Sequence, residues 1–143
     1  MVKIVSWNVN SVRVRMPHLT ELINSAKPDV ILLQETKSTD GNFPSEEIKD
    51  LGYEAFIHGQ KSYNGVAILS KLPAELITNE LPGDKKDSQA RFIEAKILTE
   101  NPFNVASIYL PNGNPIDTEK FPYKLAWMQR LKKYASIKIK NHE

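Results

Sequence analysis

The chain has 143 residues and no cysteine, 41% of its residues are hydrophobic, and its net charge is +2. This length suffices for one domain with its own core, and no apolar run approaches the ~20 residues of a membrane-spanning helix, which argues against a membrane protein. Because the chain has no cysteine, disulfides, thiolate metal sites and cysteine nucleophiles are excluded, and we expect a cytoplasmic protein.

The first part of the chain predicts a strand, a helix and a second strand. Residues 3–7 predict a strand directly at the N-terminus, so we expect no signal peptide. We expect Pro17 in the first turn of a helix whose apolar residues keep helical spacing up to Ala26. Residues 29–33 then form a buried strand that runs into Glu35. A strand-helix-strand unit of this length predicts two parallel strands.

The rest of the chain predicts five more strands and a long helix. The strands cover residues 53–58, 66–70, 74–78, 90–98 and 104–108, and Asn64-Gly65 before the second of them predicts a hairpin of the first two. Alternation in the fourth of these predicts a half-exposed strand, with apolar Ile93, Ala95 and Ile97 on one face and Glu94 and Lys96 on the other. In the helix that follows residues 120–122, one apolar face is expected from Leu125, Met128, Leu131 and Ala135.

Three polar residues follow predicted strands: Asn8, Glu35 and Tyr109. They converge if their strands lie side by side and parallel, because ligands gather at the carboxyl ends of such strands. One carboxylate and one amide suit Mg²⁺, and a tyrosine hydroxyl can donate to a phosphate oxygen. Each residue taken alone also has an ordinary structural interpretation: Glu35 as a solvated loop residue and Asn8 as a turn residue. The set also contains no general base.

Several strings of the sequence resemble one known family. They are Val5-Ser6-Trp7-Asn8-Val9-Asn10, Leu33-Gln34-Glu35-Thr36-Lys37, His58-Gly59-Gln60-Lys61 with Tyr63-Asn64-Gly65-Val66-Ala67-Ile68-Leu69-Ser70, Tyr109-Leu110-Pro111-Asn112-Gly113, and Lys120-Phe121-Pro122-Tyr123-Lys124. Together, and in this order, they resemble the exonuclease III and AP endonuclease branch of the endonuclease/exonuclease/phosphatase family.

The resemblance implies a four-layer α/β sandwich that cleaves DNA phosphodiesters with Mg²⁺, or with Mn²⁺ in its place. The implied partner is double-stranded DNA with abasic sites or 3′ ends. Glu35 would be the metal ligand, Asn8 would support the metal site, and Tyr109 would contact the scissile phosphate. The residues expected to contact DNA are Asn112, Arg91 and Lys120.

The chain departs from the family by lacking the later Gly-Asp-x-Asn motif, a further aspartate and the Ser-Asp-His motif. We therefore expect one partial domain over residues 1–143: half of the sandwich, with one mixed sheet and flanking helices, and the partner sheet largely missing. Because catalytic units fail steeply when members are removed, we expect the chain alone to be inactive or nearly so. The missing C-terminal half, or a second copy, is the expected protein partner.

Two alternatives stay open at this point. In the first, the chain is a non-catalytic half-domain that binds DNA or assembles with another chain. In the second, it is another phosphoesterase of the same superfamily. The string from Tyr109 to Gly113 favours the DNA repair branch over the second alternative.

Overall fold

The computed structural model describes residues 1–143, and the chain divides into two compact units. The first unit comprises residues 1–79 and 89–109, and the second comprises residues 80–88 and 110–143. The elements are β1 (Ile4–Asn8), α1 (Val12–Ala26), β2 (Val30–Gln34), a 3₁₀ helix (Asp40–Asn42), α2 (Ser45–Asp50), β3 (Glu54–His58), β4 (Val66–Ser70), β5 (Ala74–Thr78), β6 (Phe92–Ile97), β7 (Phe103–Ile108) and α3 (Lys120–Lys140).

The first unit contains two sheets. One has four strands in the order β1-β2-β4-β3, and the other has three strands in the order β5-β6-β7. Strands β1 and β2 are parallel, as the strand-helix-strand pattern predicts, whereas every other neighbouring pair is antiparallel. The predicted hairpin of β3 and β4 is confirmed.

Strand β2 is apolar from Val30 to Leu33 because both of its faces are covered. On one face, Ile31 and Leu33 pack in a cluster with α1 and α2 residues such as Leu19 and Ile48. On the other face, Val30 packs with residues of the second sheet. Such double coverage produces a continuous hydrophobic run instead of an alternating one. The first unit therefore has three layers: helices, the four-stranded sheet and the three-stranded sheet.

The predicted α/β class is confirmed, but the expectation of one mixed sheet with its partner sheet largely missing is wrong. The four-stranded sheet ends at β1 on one edge and at β3 on the other, and none of the later strands pairs with either. They form a second sheet, whose apolar residues Ile93, Ala95 and Ile97 pack against the first. The chain thus carries part of both sheets. Whether residues 1–143 behave as one partial domain stays a prediction.

The predicted exposed face of β6 is also wrong. Glu94 is 4% exposed, and its carboxylate accepts a hydrogen bond of 3.2 Å from Asn104 on the neighbouring β7. A buried carboxylate is tolerated when a hydrogen-bond donor meets it. The alternation of apolar and charged residues identified the strand correctly, but it did not reveal this cross-strand partner.

The buried side of α3 differs from the apolar face predicted by sequence spacing. Leu125 and Met128 are 48% and 44% exposed, whereas Trp127 is 2% exposed. Half-buried Tyr123 and Tyr134 lie on the same side as Trp127. Long and aromatic side chains bury an apolar body while they keep a polar tip, so simple apolar counting misplaced the face.

No helix is both long enough and apolar enough to cross a bilayer.

Within the second unit, Arg130 of α3 holds the segment of residues 80–88. Its guanidinium lies 2.8 Å from the Asp87 carboxylate and donates to the backbone oxygens of Leu81 (2.6 Å) and Pro82 (3.2 Å). The Tyr123 hydroxyl donates to the same carboxylate at 2.9 Å. Charge and direct hydrogen bonds together make this a strong local contact.

Candidate functional site

The end of β2 is fixed first by the loop that follows β1. The strand register pairs Asn8 with Gln34. Beyond it, the backbone N–H of Ser11 donates to the Glu35 oxygen at 2.8 Å, and that of Val12 donates to the Thr36 oxygen at 3.0 Å. The start of α1 is therefore bound to the backbone around Glu35, which brings Asn8 to the same edge of the sheet.

The Asn64-Gly65 turn fixes the other side of the Glu35 segment. The N–H groups of Thr36 and Lys37 donate to the backbone oxygens of Gly65 (3.1 Å) and Asn64 (2.9 Å). Gly65 has φ +92°, and a Cβ there would lie 2.1 Å from the Thr36 hydroxyl oxygen, so only glycine fits. Glu35 itself has φ +52°, a strained conformation of the kind that clusters at functional sites.

Gln60 joins this turn to the second sheet. Its side-chain oxygen accepts hydrogen bonds of 3.1 Å from the Asn64 side chain and from the Ala90 backbone. Its own N–H donates to the Ser38 oxygen at 3.0 Å. The Gly59-Gln60 and Asn64-Gly65 pairs thus hold the segment that carries Glu35 through backbone and side-chain hydrogen bonds.

Tyr109 reaches the site from the second sheet. It directly follows β7, and its N–H donates to the Arg91 oxygen at 2.8 Å, which extends the pairing of β6 and β7 by one residue. The Arg91 guanidinium lies 4.9 Å from the centre of the Tyr109 ring and donates to the Tyr109 backbone oxygen at 3.3 Å. The cation over the ring face holds the tyrosine in place.

The Tyr109 hydroxyl interacts with the Glu35 carboxylate. Burial raises the pKa of Tyr109, and the hydrogen bond to Glu35 and its negative charge raise this pKa further, while the Arg91 charge opposes them. The hydroxyl is therefore held in its protonated, hydrogen-bond-donating form. Convergence of Glu35 and Tyr109 is as predicted, but their strands face each other from two sheets instead of lying side by side.

The Glu35 carboxylate has no cationic side chain within ion-pair distance. Asn8 is exposed, and its side-chain oxygen accepts a hydrogen bond of 3.1 Å from the Asn10 N–H, which leaves one lone pair. No group of three or more His, Cys, Asp or Glu side chains is arranged so that it could hold a metal ion. One carboxylate and one amide nevertheless suit Mg²⁺, which keeps several waters and completes its shell with substrate phosphates.

The structure brings Asn8, Glu35, Arg91 and Tyr109 together in the first unit. The other two predicted site residues belong to the second unit. There, exposed Asn112 accepts a hydrogen bond of 2.9 Å from the Asn114 N–H, and Lys120 is an exposed residue at the start of α3. The roles assigned to all six residues stay predictions.

Sequence reasoning missed two buried residues beside this site. The Gln34 side-chain amide donates to the Ser107 hydroxyl at 3.1 Å, and that hydroxyl donates to the Leu33 oxygen at 2.7 Å. Both residues are buried. The available signal was a polar residue near the end of each of the two strands that lead to Glu35 and Tyr109, at a position that faces the interior.

Comparison with known proteins gives a consistent result. The model of the "Endonuclease/Exonuclease/phosphatase family" matches residues 5–143. An exodeoxyribonuclease III of Haemophilus influenzae is 40% identical over 134 residues, which cover 92% of this chain and 50% of that protein. The chain therefore spans about half the length of this curated relative, in agreement with the predicted match to half of the family's fold.

Two solved structures share the fold. A 3′ phosphatase from Neisseria, bound to a product DNA hairpin, matches with a TM-score of 0.92 and 34% identity over 98% of this chain and 53% of that one. An AP endonuclease from Archaeoglobus fulgidus matches with a TM-score of 0.85 and 38% identity over 94% and 51%. These matches confirm the half-sandwich and the resemblance to exonuclease III-like enzymes. The chain belongs to the endonuclease/exonuclease/phosphatase family.

Proposed function

We propose that the chain carries part of the active site of a DNA repair nuclease similar to exodeoxyribonuclease III. The reaction would be hydrolysis of DNA phosphodiesters, at 3′ ends and 5′ to abasic sites in duplex DNA. The observation that supports this most directly is the pairing of a protonated Tyr109 with Glu35, a carboxylate that no cationic side chain of the chain neutralises.

Glu35 would hold Mg²⁺, or Mn²⁺ in its place, and the remaining lone pair of the Asn8 side-chain oxygen would support that site. The bound ion would offset negative charge that develops on the phosphate. Tyr109, kept protonated at neutral pH, would donate a hydrogen bond to a phosphate oxygen. Arg91, stacked on the Tyr109 ring, would add positive charge beside the DNA backbone.

The two candidate DNA contacts of the second unit, Asn112 and Lys120, would add hydrogen-bonding and electrostatic contacts to the backbone. Both are exposed. Each phosphate neutralised by a lysine or arginine releases counterions, so this binding would weaken as salt rises. The roles of Asn112 and Lys120 are therefore testable by the salt dependence of DNA affinity.

We further propose that residues 1–143 form one partial domain that does not cleave DNA alone. The candidate site residues Asn8, Glu35, Arg91 and Tyr109 include one acid and no histidine, and catalytic units lose nearly all activity when members are missing. The partner would be the complementary half of the fold or a second copy of this chain. We place the protein in the cytoplasm, a reducing compartment that suits a chain without cysteine.

Two other functions have specific support. The relative from Neisseria is a 3′ phosphatase, so a 3′-phosphorylated DNA end is an alternative substrate for the same site. The polar and apolar residues Ile4, Ser6 and Asn8 lie exposed along one face of β1, and Ile4 is 44% exposed. That face would suit a non-catalytic half-domain that assembles with another chain.

The test uses the chain alone with end-labelled duplexes that carry one abasic-site analogue or a 3′ phosphate, in Mg²⁺ or in EDTA. We expect binding to the abasic duplex and no cleavage of either DNA. Binding should weaken in Arg91→Ala and in Lys120→Ala, with a smaller slope of affinity against salt. Lys49→Ala, an exposed lysine of α2, is the matched control and should leave binding unchanged.

Three results would contradict parts of this proposal. Mg²⁺-dependent incision that disappears in Glu35→Ala would refute inactivity of the isolated chain. Release of phosphate from the 3′-phosphorylated duplex would favour the phosphatase alternative. Absence of DNA binding at low salt would favour the assembly module.

A further inference from the structure

A polar contact crosses the otherwise apolar interface between the two sheets of the first unit. The Gln34 amide nitrogen lies 3.1 Å from the Ser107 hydroxyl oxygen, and it also lies 3.2 Å from the Ser6 hydroxyl oxygen. The Ser107 hydroxyl in turn donates to the Leu33 backbone oxygen at 2.7 Å. Ser107 has no exposed surface, and Gln34 is 9% exposed. Strand β7 is thus bonded directly to β2 at this point.

The surrounding interface consists of aliphatic side chains such as Val30, Ile68 and Ile93. Apolar contacts have no direction, so they hold two sheets together without fixing how far one lies along the other. A buried hydrogen bond is directional, and leaving either partner unpaired costs free energy. The bond between Gln34 and Ser107 therefore penalises any displacement of β7 along β2.

Chain position makes this bond relevant to the site. Gln34 immediately precedes Glu35, and Ser107 lies two residues before Tyr109. Side chains two residues apart along a strand point to the same face, so those of Ser107 and Tyr109 lie on the same face of β7. The distance from the bond to the pair of Glu35 and Tyr109 is thus only one or two residues on either chain segment.

We propose that Gln34 and Ser107 are positioning residues that set the Tyr109 hydroxyl against the Glu35 carboxylate. Neither residue touches a reacting atom in this assignment. Their role is to fix the relative placement of two strands that come from different sheets. The importance of this placement for catalysis rests on the proposed nuclease function, whereas the placement itself is a property of the chain alone.

The experiment measures the contact of Tyr109 with Glu35 by NMR in metal-free buffer. The protein carries ¹³C-labelled tyrosine, and Tyr109→Phe identifies the Tyr109 signal among the five tyrosines. The variants are Ser107→Ala and Gln34→Met, which remove the bond with little change of volume. We expect each to shift the Tyr109 ring signals and to reduce the nuclear Overhauser effects between the ring and Glu35 by more than half.

Two further variants separate positioning from general destabilisation. Ser70, the last residue of β4, has another buried hydroxyl, which donates to the Leu72 backbone oxygen at 2.8 Å. Ser70→Ala removes it and should leave the Tyr109 signals unchanged. Ser107→Thr keeps the hydroxyl and should retain the contact with Glu35. Urea denaturation of every variant gives the loss of stability against which the signals are compared.

Unchanged Tyr109 signals in folded Ser107→Ala or folded Gln34→Met would overturn the proposal. Equal disturbance of those signals by Ser70→Ala would also overturn it, because the effect would then follow stability alone. If both bond-removing variants fail to fold, loss of the Tyr109 contact in Ser107→Thr despite its hydroxyl would refute the assignment, and retention would support it. The readout uses neither DNA nor metal, so failure of the nuclease proposal would leave this result independent.

Discussion

Asp29 precedes β2 and Glu35 follows it, and these two carboxylates lie in different surroundings. The Asp29 carboxylate accepts a hydrogen bond of 2.7 Å from the Lys3 backbone N–H and forms an ion pair of 3.2 Å with Lys71. The Lys3 hydrogen bond, together with Lys71, lowers the pKa of Asp29 although partial burial opposes them. Glu35 has no such cation, and its backbone has φ +52°.

The difference separates a carboxylate that supports the fold from one that is available for binding. At the Asp29 end every partner needed by the negative charge is supplied by the chain. At the Glu35 end, the backbone is held in a strained conformation by hydrogen bonds from two loops, while the charge itself remains without a protein counterion. Local strain together with an uncompensated charge is the pattern expected where function overrides stability.

The largest expected effect tests how firmly the Glu35 end is held. Gly65→Ala places a Cβ 2.1 Å from the Thr36 hydroxyl oxygen at φ +92°, so we expect the free energy of unfolding to fall by about 3 kcal/mol. Gly41→Ala, where a Cβ would meet nothing within 4 Å, is the control and should change it little. Urea denaturation measures both. Equal effects would mean that the contact with Thr36 does not constrain the Glu35 segment.

A second prediction compares the two carboxylates directly. Asp29→Asn should lower the free energy of unfolding by about 1 kcal/mol, a modest value because Lys71 is 38% exposed. Glu35→Gln removes a charge that has no protein counterion, and it should leave stability unchanged or raise it slightly. Thermal or urea denaturation gives the sign of each change. A loss in Glu35→Gln as large as that in Asp29→Asn would remove the contrast between the two ends.

A third prediction concerns alkaline pH. Burial raises the pKa of Tyr53 and of Tyr109, so the folded state retains these phenolic protons after the unfolded state has lost them. The unfolded state then binds fewer protons, and stability falls as pH rises from about 10 through the folded-state pKa values. Ultraviolet titration should also show that Glu35→Gln lowers the pKa of Tyr109. An unchanged Tyr109 titration in that variant would contradict the interaction with Glu35.

The smallest expected effect concerns acid pH. Because the pKa of Asp29 is lowered in the folded state, its contribution is present above the unfolded value of about 3.9 and is lost as pH falls through the folded-state pKa. The difference in stability between the wild type and Asp29→Asn should therefore shrink below pH 4. A difference that stays constant down to pH 2 would mean that the Asp29 charge contributes nothing.

Local patterns predicted the parts of the fold that depend on neighbouring residues. The spacing of apolar residues predicted parallel β1 and β2, and the Asn64-Gly65 turn predicted the hairpin of β3 and β4. The separation of β5–β7 into a second sheet was not predictable in this way. It depends on which edge of which sheet is already occupied, a long-range property that periodicity does not carry.

The same limit applies to the candidate site. The strand ends identified Glu35 and Tyr109 correctly as neighbours, but the sequence placed them in one sheet. The link between Gln34 and Ser107, 73 residues apart in sequence, became visible only when the two strands faced each other. The predicted exposure of Glu94 and the predicted apolar face of α3, which left out Trp127, were wrong for a similar reason. The burial of both residues depends on partners that local spacing does not specify.

The most direct test of a metal-binding Glu35 is a Mn²⁺ titration of the ¹⁵N-labelled chain, followed by NMR line broadening. We predict that low Mn²⁺ broadens the signals of Asn8, Glu35 and Tyr109 first, leaves those around Asp29 sharp, and loses this selectivity in Glu35→Gln. Broadening centred on Asp29, or selective broadening at the Glu35 end that survives in Glu35→Gln, would contradict the assignment of Glu35 as the metal ligand.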